Sequence, residues 1–401
     1  MIIRVAHIVN PAFGSVFSGI THRIFSLLSG WKEEGISLDL YGTQIKPLNM
    51  NSGDKVYNLP EGSLWSSNLK RQSRWERIRW SLQLLKMLIV RRKDYDIVHF
   101  HHLSWGSLLS PLILHRFGKK AVFTMSLFGN DNPSYIQQQP RGRLQVALMH
   151  RFDGAIGVSS ALVVDAIQHG IKNVICLPNF MAIPQLEESI DATKIRKIRA
   201  LTRTKLCIPQ ESQVLLFVGS IIRRKGVDVL LDTFIELSSK YADLFLVLVG
   251  PKSREETTGI DETYVCQLKE KIRLAGLEGR VIWVGMVKEQ SLLVDYYRSA
   301  DIFVFPTRNE GSPNVFAEAM AASLPVVASM LPGITDGVVS DGESGYLVEP
   351  GNVNQFVLAI DQLLQDDTKR TAMGLAGRKI VLEQFGFNSY CQRLKNFYVD
   401  L

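Results

Sequence analysis

Two acids eight positions apart, Glu310 and Glu318, flank the segment Gly311-Ser312-Pro313-Asn314-Val315. The apolar run ADIFVFP ends at Pro306 and a short loop follows. A helix is expected next, with Ser312 as its N-cap and Pro313 in the first helical position. The opening amides of such a helix, Asn314 and Val315, have no intrahelical acceptor, and with the helix dipole they make an anion site. Carboxylates beside a bound phosphate repel it unless they serve another part of the same ligand. Hydroxyl groups of a ribose and of a sugar fit that role, against the plainer reading that both acids only complement the dipole. A second cluster, Arg223-Arg224-Lys225, follows the strand-like run ending in Gly219 and precedes Gly226. Three cations there suit a diphosphate, each charge-assisted hydrogen bond contributing about 1.5–3 kcal/mol. The order of residues is not that of a P-loop.

Both clusters sit at the ends of apolar runs. IIRVAHIV, ISLDLYG, YDIVHFHH, KKAVFTM and FDGAIGVS in the first half, and QVLLFVGS, LFLVLVG, RVIWVG, ADIFVFP, LPVVAS and SGYLVEP in the second, read as buried strands alternating with helical segments. That alternation predicts an α/β protein of two Rossmann-like domains with parallel sheets facing each other across a cleft. Ligands of such sheets bind outside the carboxyl ends of the strands. The expected domains are 1–185 and 206–385. Residues 186–205 are expected to be a linker whose six basic residues between Lys194 and Lys205 form a solvated helix, and a helix at about 386–401 is expected to pack back on the first domain.

At 401 residues the chain is too long for one ordinary core, and 46% hydrophobic against 21% charged residues excludes disorder. Four dispersed cysteines without a C-x-x-C pair exclude a disulfide scaffold or zinc ribbon and suit a reducing cytoplasm. The opening MIIRVAHIVNP reads as a first strand, not a secretory signal. The net charge of +7 is uneven: residues 1–186 carry 21 basic and 11 acidic side chains, residues 187–401 carry 25 and 28. Lys70 to Lys93 alone holds nine basic residues and one acid, which points to a polyanionic partner on that half.

From Val218 to Pro350 the chain resembles the nucleotide-binding domain of the retaining GT-B glycosyltransferases of family four. The resemblance rests on VG-x5-KG, on Gly285 to Val287, on YYRSADIFVFP, on the Glu310/Glu318 pair with EAMA, and on PVVAS and GYLVEPGN. SGITHRIFSLL, YDIVHFH, GVSSAL and LPNF extend it more weakly through the first half. It implies transfer of a sugar, with retention of configuration, from a nucleoside-diphosphate sugar to a hydroxyl acceptor, without metal or other cofactor. The setting it implies is surface polysaccharide or lipid-linked glycan assembly at the cytoplasmic face of a membrane.

The roles implied are catalytic for Glu310 and Lys225, and diphosphate binding for Gly19, Ser220, Arg223, Arg224, Lys225, Asn314 and Val315. Glu318 would hold the ribose, Glu310, Gly311 and Ser312 the donor sugar, Val287 the nucleobase pocket, and His101 and Asp131 the acceptor side. The chain departs from the family pattern in having Ser220 where an arginine is common, Phe128 in the histidine position of the motif here written FGND, and PKSREE after LFLVLVG. A nucleotide-sugar 2-epimerase of like architecture is the alternative enzyme. A polyanion binder is the non-enzymatic one, and no nucleic-acid-binding motif supports it.

Lys70 to Val90 is expected to be one helix. Lys70, Arg74 and Arg77 project from one side beside an apolar stripe of Trp75, Ile78, Leu82, Leu85 and Ile89. The segment is expected to dock on an anionic membrane through its cations, Arg71 among them, against the plainer reading that the stripe packs on the domain's own sheet and the cations are solvated. Both hold together if the stripe is core and Trp65, Trp80 and the cations lie at the lipid surface.

Overall fold

The structure, a computed structural model, describes residues 2–9, 24–42 without 25, 29 and 32–34, 56–58, and 74–401 without 182, 188–190 and 258. Gly19, Trp65, Lys70 and Arg71 lie outside the described residues. The chain forms two compact units, Met1–Phe180 with Phe387–Leu401, and Met181–Gly386.

In the first unit seven parallel strands form one sheet: β1 (Ile3–Ile8), β2 (Ile36–Gly42), β3 (Val56–Asn58), β4 (Ile97–Phe100), β5 (Lys120–Met125), β6 (Gly154–Gly157) and β7 (Val174–Cys176). Their order is β3-β2-β1-β4-β5-β6-β7, so the winding reverses between β1 and β4. Burial on both faces explains why β4 and β6 read as continuous apolar runs, whereas β2 alternates buried Ile36, Leu38 and Leu40 with half-buried Ser37 and Asp39. The last helix, Phe387–Val399, belongs to this unit. Phe180 packs edge-on against Phe387 and Tyr390 with ring centroids 4.9 and 4.8 Å away, and Arg393 donates to the Cys176 carbonyl at 2.5 Å.

The helix expected from Lys70 is described from Arg74 to Val90. Its buried side is Trp80, Leu84 and Leu88, in the core with Phe100 and Leu108. The stripe singled out in the sequence faces solvent, with Trp75 78% and Leu82 62% exposed, Ile78 and Ile89 also exposed, and Leu85 half-buried. Hence the stripe does not pack on the sheet, and Trp80, expected at a lipid surface, is a core residue. A helix with two apolar faces buries only one of them, and spacing alone does not say which. No helix among the described residues is long and apolar enough to cross a membrane.

The second unit holds a parallel six-stranded sheet: β8 (Gln213–Val218), β9 (Leu244–Val249), β10 (Val281–Gly285), β11 (Ile302–Phe305), β12 (Val326–Ser329) and β13 (Gly345–Val348). The order β10-β9-β8-β11-β12-β13 places the reversal between β8 and β11. Residues 186–205 do not form a separate linker. They fall within this unit, and the helix Ala192–Lys205 is fastened to it by two arginines. Arg203, fully buried, donates to Asp301 at 2.8 Å and to the carbonyls of Ser299, Gln210 and Ser212 at 3.1, 2.6 and 2.6 Å. Arg199 takes the other Asp301 oxygen at 2.6 Å. A run of basic residues reads as solvated, and here only part of it is: Lys194, Arg196 and Lys197 are exposed, whereas the planar guanidinium of Arg203 meets a carboxylate and three carbonyls at once.

Candidate active site

Adjacent strands β8 and β11 bring the two sequence clusters together. Beyond β8 the chain runs through Gly219 and half-buried Ser220 into a tight turn, Arg223–Lys225, and then Gly226 at φ +71°. A side chain on Gly226 would collide with the Pro306 carbonyl at the end of β11, so glycine is what lets the two loops touch. They are then laced by backbone and side chain. Arg308 N–H donates to the Arg224 carbonyl at 2.8 Å, Thr307 Oγ1 to the same oxygen at 3.1 Å, and Arg224 to the Asn309 carbonyl at 2.6 Å. The Arg308 guanidinium donates to the Arg223 carbonyl and spans both oxygens of Asp228 at 2.9 and 2.7 Å.

This lacing sets Lys225 against Glu310. Lys225 Nζ lies 2.5 Å from Glu310 Oε1, Arg224 is 3.1 Å from the same oxygen, and Thr307 Oγ1 donates to it at 3.0 Å. Glu310 is buried. The Lys225 ammonium also sits 4.9 Å from the centre of the Phe305 ring. Burial pulls the Lys225 amine below its ordinary range; Glu310 opposes that and Arg224 adds to it. Arg223 turns elsewhere, stacking on Tyr264 at 4.6 Å and reaching Gln267. The three cations, alike in sequence, are therefore two that face Glu310 and one that does not.

The helix after this loop is Asn314–Ala321, with Pro313 and not Ser312 as its N-cap. Pro313 has φ −75° but an extended ψ of 100°, so the helix starts one residue later than expected. The opening amides remain those of Asn314 and Val315, whose N–H groups point out along the axis. Gly311 is buried and Ser312 half-buried in the loop before them. Glu318, one turn and a half in, is buried and accepts the Tyr297 hydroxyl at 2.7 Å. Burial raises its carboxyl above the ordinary range, and the Tyr297 hydrogen bond offsets part of that. Tyr297 was not among the candidate residues, although it stands in the YYRSADIFVFP motif. A buried phenol four residues before Asp301 reads as core until its partner is seen.

At the carboxyl edge of the same sheet, Gly219, Gly250 and Gly285 lie on neighbouring strands, linked by hydrogen bonds from Gly219 N–H to the Val249 carbonyl and from Gly250 N–H to the Gly285 carbonyl, both 2.9 Å. A side chain at Gly250, which sequence reading passed over, would strike the Gly219 carbonyl. Val287 follows Gly285, half-buried against the core.

In the first unit, His101 and Asp131 are held by structural bonds. Asp131 accepts the N–H groups of Ser126 and Leu127 at 2.7 and 3.0 Å and so shapes the loop after β5. Phe128 of that loop packs on the core. His101 lies 2.8 Å from His7 across the β1/β4 reversal. The network continues from His7 to Tyr398 at 3.5 Å, from Tyr398 to His99 at 2.6 Å, and from His99 to Thr124 at 2.7 Å. His7, His99 and His101 form the one group among the described residues close enough to hold a metal ion; all three are buried, with His7 bonded to His101, and His99 bonded to Tyr398 and Thr124.

Two doubly wound parallel sheets, with a cation–carboxylate pair and a helix terminus at the reversal of the second, define an α/β protein of two Rossmann-like units. Comparison with known proteins takes this further. Residues 199–380 match the family described as Glycosyl transferases group 1. The capsular polysaccharide biosynthesis glycosyltransferase CapM of Staphylococcus aureus is 31% identical over 46% of this chain and 45% of its own length, so that similarity spans about half of either protein. D-inositol 3-phosphate glycosyltransferase of Corynebacterium diphtheriae is 24% identical over 99% of this chain and 93% of its own. The crystal structure of Anabaena HepE in complex with UDP and glucose superposes with a TM-score of 0.75 over the whole of both chains, at 18% identity. The chain has the GT-B fold, and its residues 199–380 are similar to a domain found in named glycosyltransferases.

Proposed function

We propose that the chain is a retaining, family-four enzyme that moves a sugar from a nucleoside-diphosphate sugar to a hydroxyl of a glycan or lipid-linked acceptor, in the assembly of a surface polysaccharide or similar glycan. The observation that carries this reading is the Lys225–Glu310 contact at the β8/β11 reversal, beside the loop that opens the helix Asn314–Ala321. Heterolysis of the bond between the sugar carbon and the phosphate oxygen leaves one further negative charge on the nucleoside diphosphate and an electron-poor sugar carbon. Lys225, Arg224 and the amides of Asn314 and Val315 supply positive charge fixed in advance, which is where most transition-state stabilisation of this kind originates. Glu310, carried on the same loop, accepts hydrogen bonds from sugar hydroxyls and orients the ring. Glu318 takes the ribose hydroxyls, with Tyr297 holding its carboxylate in place. Val287 and its neighbours line the nucleobase pocket. The first unit carries the acceptor side, and the reaction takes place on the cytoplasmic side of the membrane. UDP and glucose in the HepE complex make uridine donors the first to try.

The test is turnover of a panel of UDP-, GDP-, ADP- and CDP-sugars with and without simple glycoside acceptors, reading released nucleotide and the anomeric proton signals of the product. Acceptor-dependent release with the donor's anomeric configuration in the product supports the reading. Conversion of the donor sugar without any acceptor would favour an epimerase instead.

A further inference from the structure

The helix Arg74–Val90 presents a second apolar face that nothing among the described residues covers. At 3.6 residues per turn, Trp75, Ile78, Leu82 and Ile89 fall within an arc of about 60° on the side away from buried Trp80, Leu84 and Leu88. Trp75 and Leu82 are the most exposed of the four, and Val90 is 67% exposed at the helix end. Large apolar side chains so grouped are uncommon on a protein surface with no partner. The packed neighbour helix, Trp105–Leu114, and the turn after it add exposed Leu112 and Phe117.

Charge borders this face on one side and at the end of the helix. Arg79 and Lys86, both exposed, project along one border of the arc. The helix runs out into Arg91, Arg92 and Lys93, and Asp94 is the one acid between residues 77 and 95. Just beyond lies a cavity of about 370 Å³ lined by Arg4, Arg92, Lys93, Lys119 and Phe117. Arg92 lies 5.4 Å over the Phe117 ring, and Asp96, bonded to Arg4 and Lys119 at 3.0 and 3.1 Å, offsets part of the cationic charge there, as does Asp94 beside Arg91. A row of tryptophan and aliphatic residues bordered by cations and leading to a cationic hollow matches one chemistry: acyl chains below anionic phosphate head groups.

We propose that this face docks the first unit on an anionic lipid bilayer, with Trp75, Ile78, Leu82 and Ile89 entering the interface and Arg79, Lys86, Arg92 and Lys93 meeting lipid phosphates. Attachment is reversible and helix-parallel. It differs from the sequence expectation in leaving Trp80 in the core. The experiment is co-sedimentation of the full chain with vesicles of phosphatidylcholine alone or mixed equally with phosphatidylglycerol, at low and high salt. Two folded variants, Trp75→Ser/Leu82→Ser and Arg79→Glu/Lys86→Glu, change only exposed positions; circular dichroism and light scattering accompany each.

Wild type is expected to bind only the anionic vesicles and to be released by salt. Arg79→Glu/Lys86→Glu should lower partitioning by roughly thirtyfold or more, at about fivefold per cation removed from an anionic surface. Trp75→Ser/Leu82→Ser should lower it without changing the salt dependence. Failure to bind anionic vesicles, binding indifferent to lipid charge, or unaltered binding by either folded variant would overturn the proposal. So would a wild-type dimer that Trp75→Ser/Leu82→Ser converts to monomer, since a second copy of the chain would then be the occupant. Nucleotide-sugar turnover is read separately from sedimentation, so loss of one leaves the other standing.

Discussion

Lys225 Nζ and Glu310 Oε1 stand 2.5 Å apart across two loops 85 residues distant in sequence, both side chains largely withdrawn from solvent. The contact joins the cation proposed for the leaving phosphate to the acid proposed for the sugar. Each is the other's counter-ion, which makes them stability residues as well as candidates for the chemistry.

Removing either partner should therefore have two effects. Lys225→Ala should lower turnover roughly 10²–10³-fold, as expected when a preorganised charge at the reacting centre is lost. It should also lower the melting temperature, a consequence not evident from sequence, where Lys225 reads as a solvated loop residue. Glu310→Ala should destabilise more, toward about 3–5 kcal/mol, because it leaves Lys225 buried beside Arg224 without an acid. The double variant should cost less than the sum. Thermal unfolding of the four proteins measures the cycle; strict additivity would mean that the contact is not formed in solution.

Glu318 offers a pH signature. Its carboxyl, raised by burial, prefers its proton more in the folded than in the unfolded chain. The sign follows from linkage: the folded state is favoured most below the unfolded value, and that advantage is lost as pH rises through the folded one. Glu318→Gln keeps an acceptor for the Tyr297 hydroxyl and removes the charge. It should melt higher than wild type near neutrality, with the difference shrinking at acid pH, while nucleotide affinity falls. Melting curves from pH 4 to pH 8 check this, and a variant that is less stable throughout would contradict it.

Arg223 and Arg224 should separate cleanly. Arg224, which faces Glu310, should cost about tenfold or more in nucleoside-diphosphate affinity when changed to Ala, in line with one charge-assisted bond. Arg223→Ala, which loses a stacking contact with Tyr264, should leave that affinity within about twofold. Calorimetry on the two variants is sufficient. Equal losses would mean that Arg223 swings toward the ligand on binding.

Asp301→Asn should be a purely structural lesion. It strips the carboxylate from fully buried Arg203 and from Arg199, leaving a guanidinium with carbonyl partners alone. A loss of about 3–5 kcal/mol is expected for breaking a buried ion pair. Nucleotide affinity at a temperature where the variant is folded should match wild type, and a selective loss of binding would place this helix in the site.

Much of this architecture was legible in the sequence because buried parallel strands write themselves as apolar runs. The reversal points, and with them the place where Arg224, Lys225 and Glu310 meet, follow from strand order, which periodicity does not encode. The helix after Glu310 was expected one residue early because Ser312 and Pro313 make a good cap and first turn in isolation, whereas the extended ψ of Pro313 makes it the cap. Arg203 was misread because charge normally means solvent, and its four bonds depend on residues up to 98 positions away. Tyr297 and Gly250 went unnoticed for a related reason: a phenol in a core helix and a glycine at a strand end acquire meaning only beside Glu318 and Gly219.

The most direct test of the central claim is calorimetric titration of the preferred nucleoside diphosphate and of its parent nucleoside into wild type, Lys225→Ala and Glu318→Gln. If the diphosphate rests on Lys225 and the ribose on Glu318, Lys225→Ala weakens the diphosphate by about tenfold or more and leaves the nucleoside unchanged. Glu318→Gln should weaken both. Diphosphate affinity undiminished in Lys225→Ala, or a nucleoside affinity indifferent to Glu318, would contradict the placement of the donor at the β8/β11 reversal.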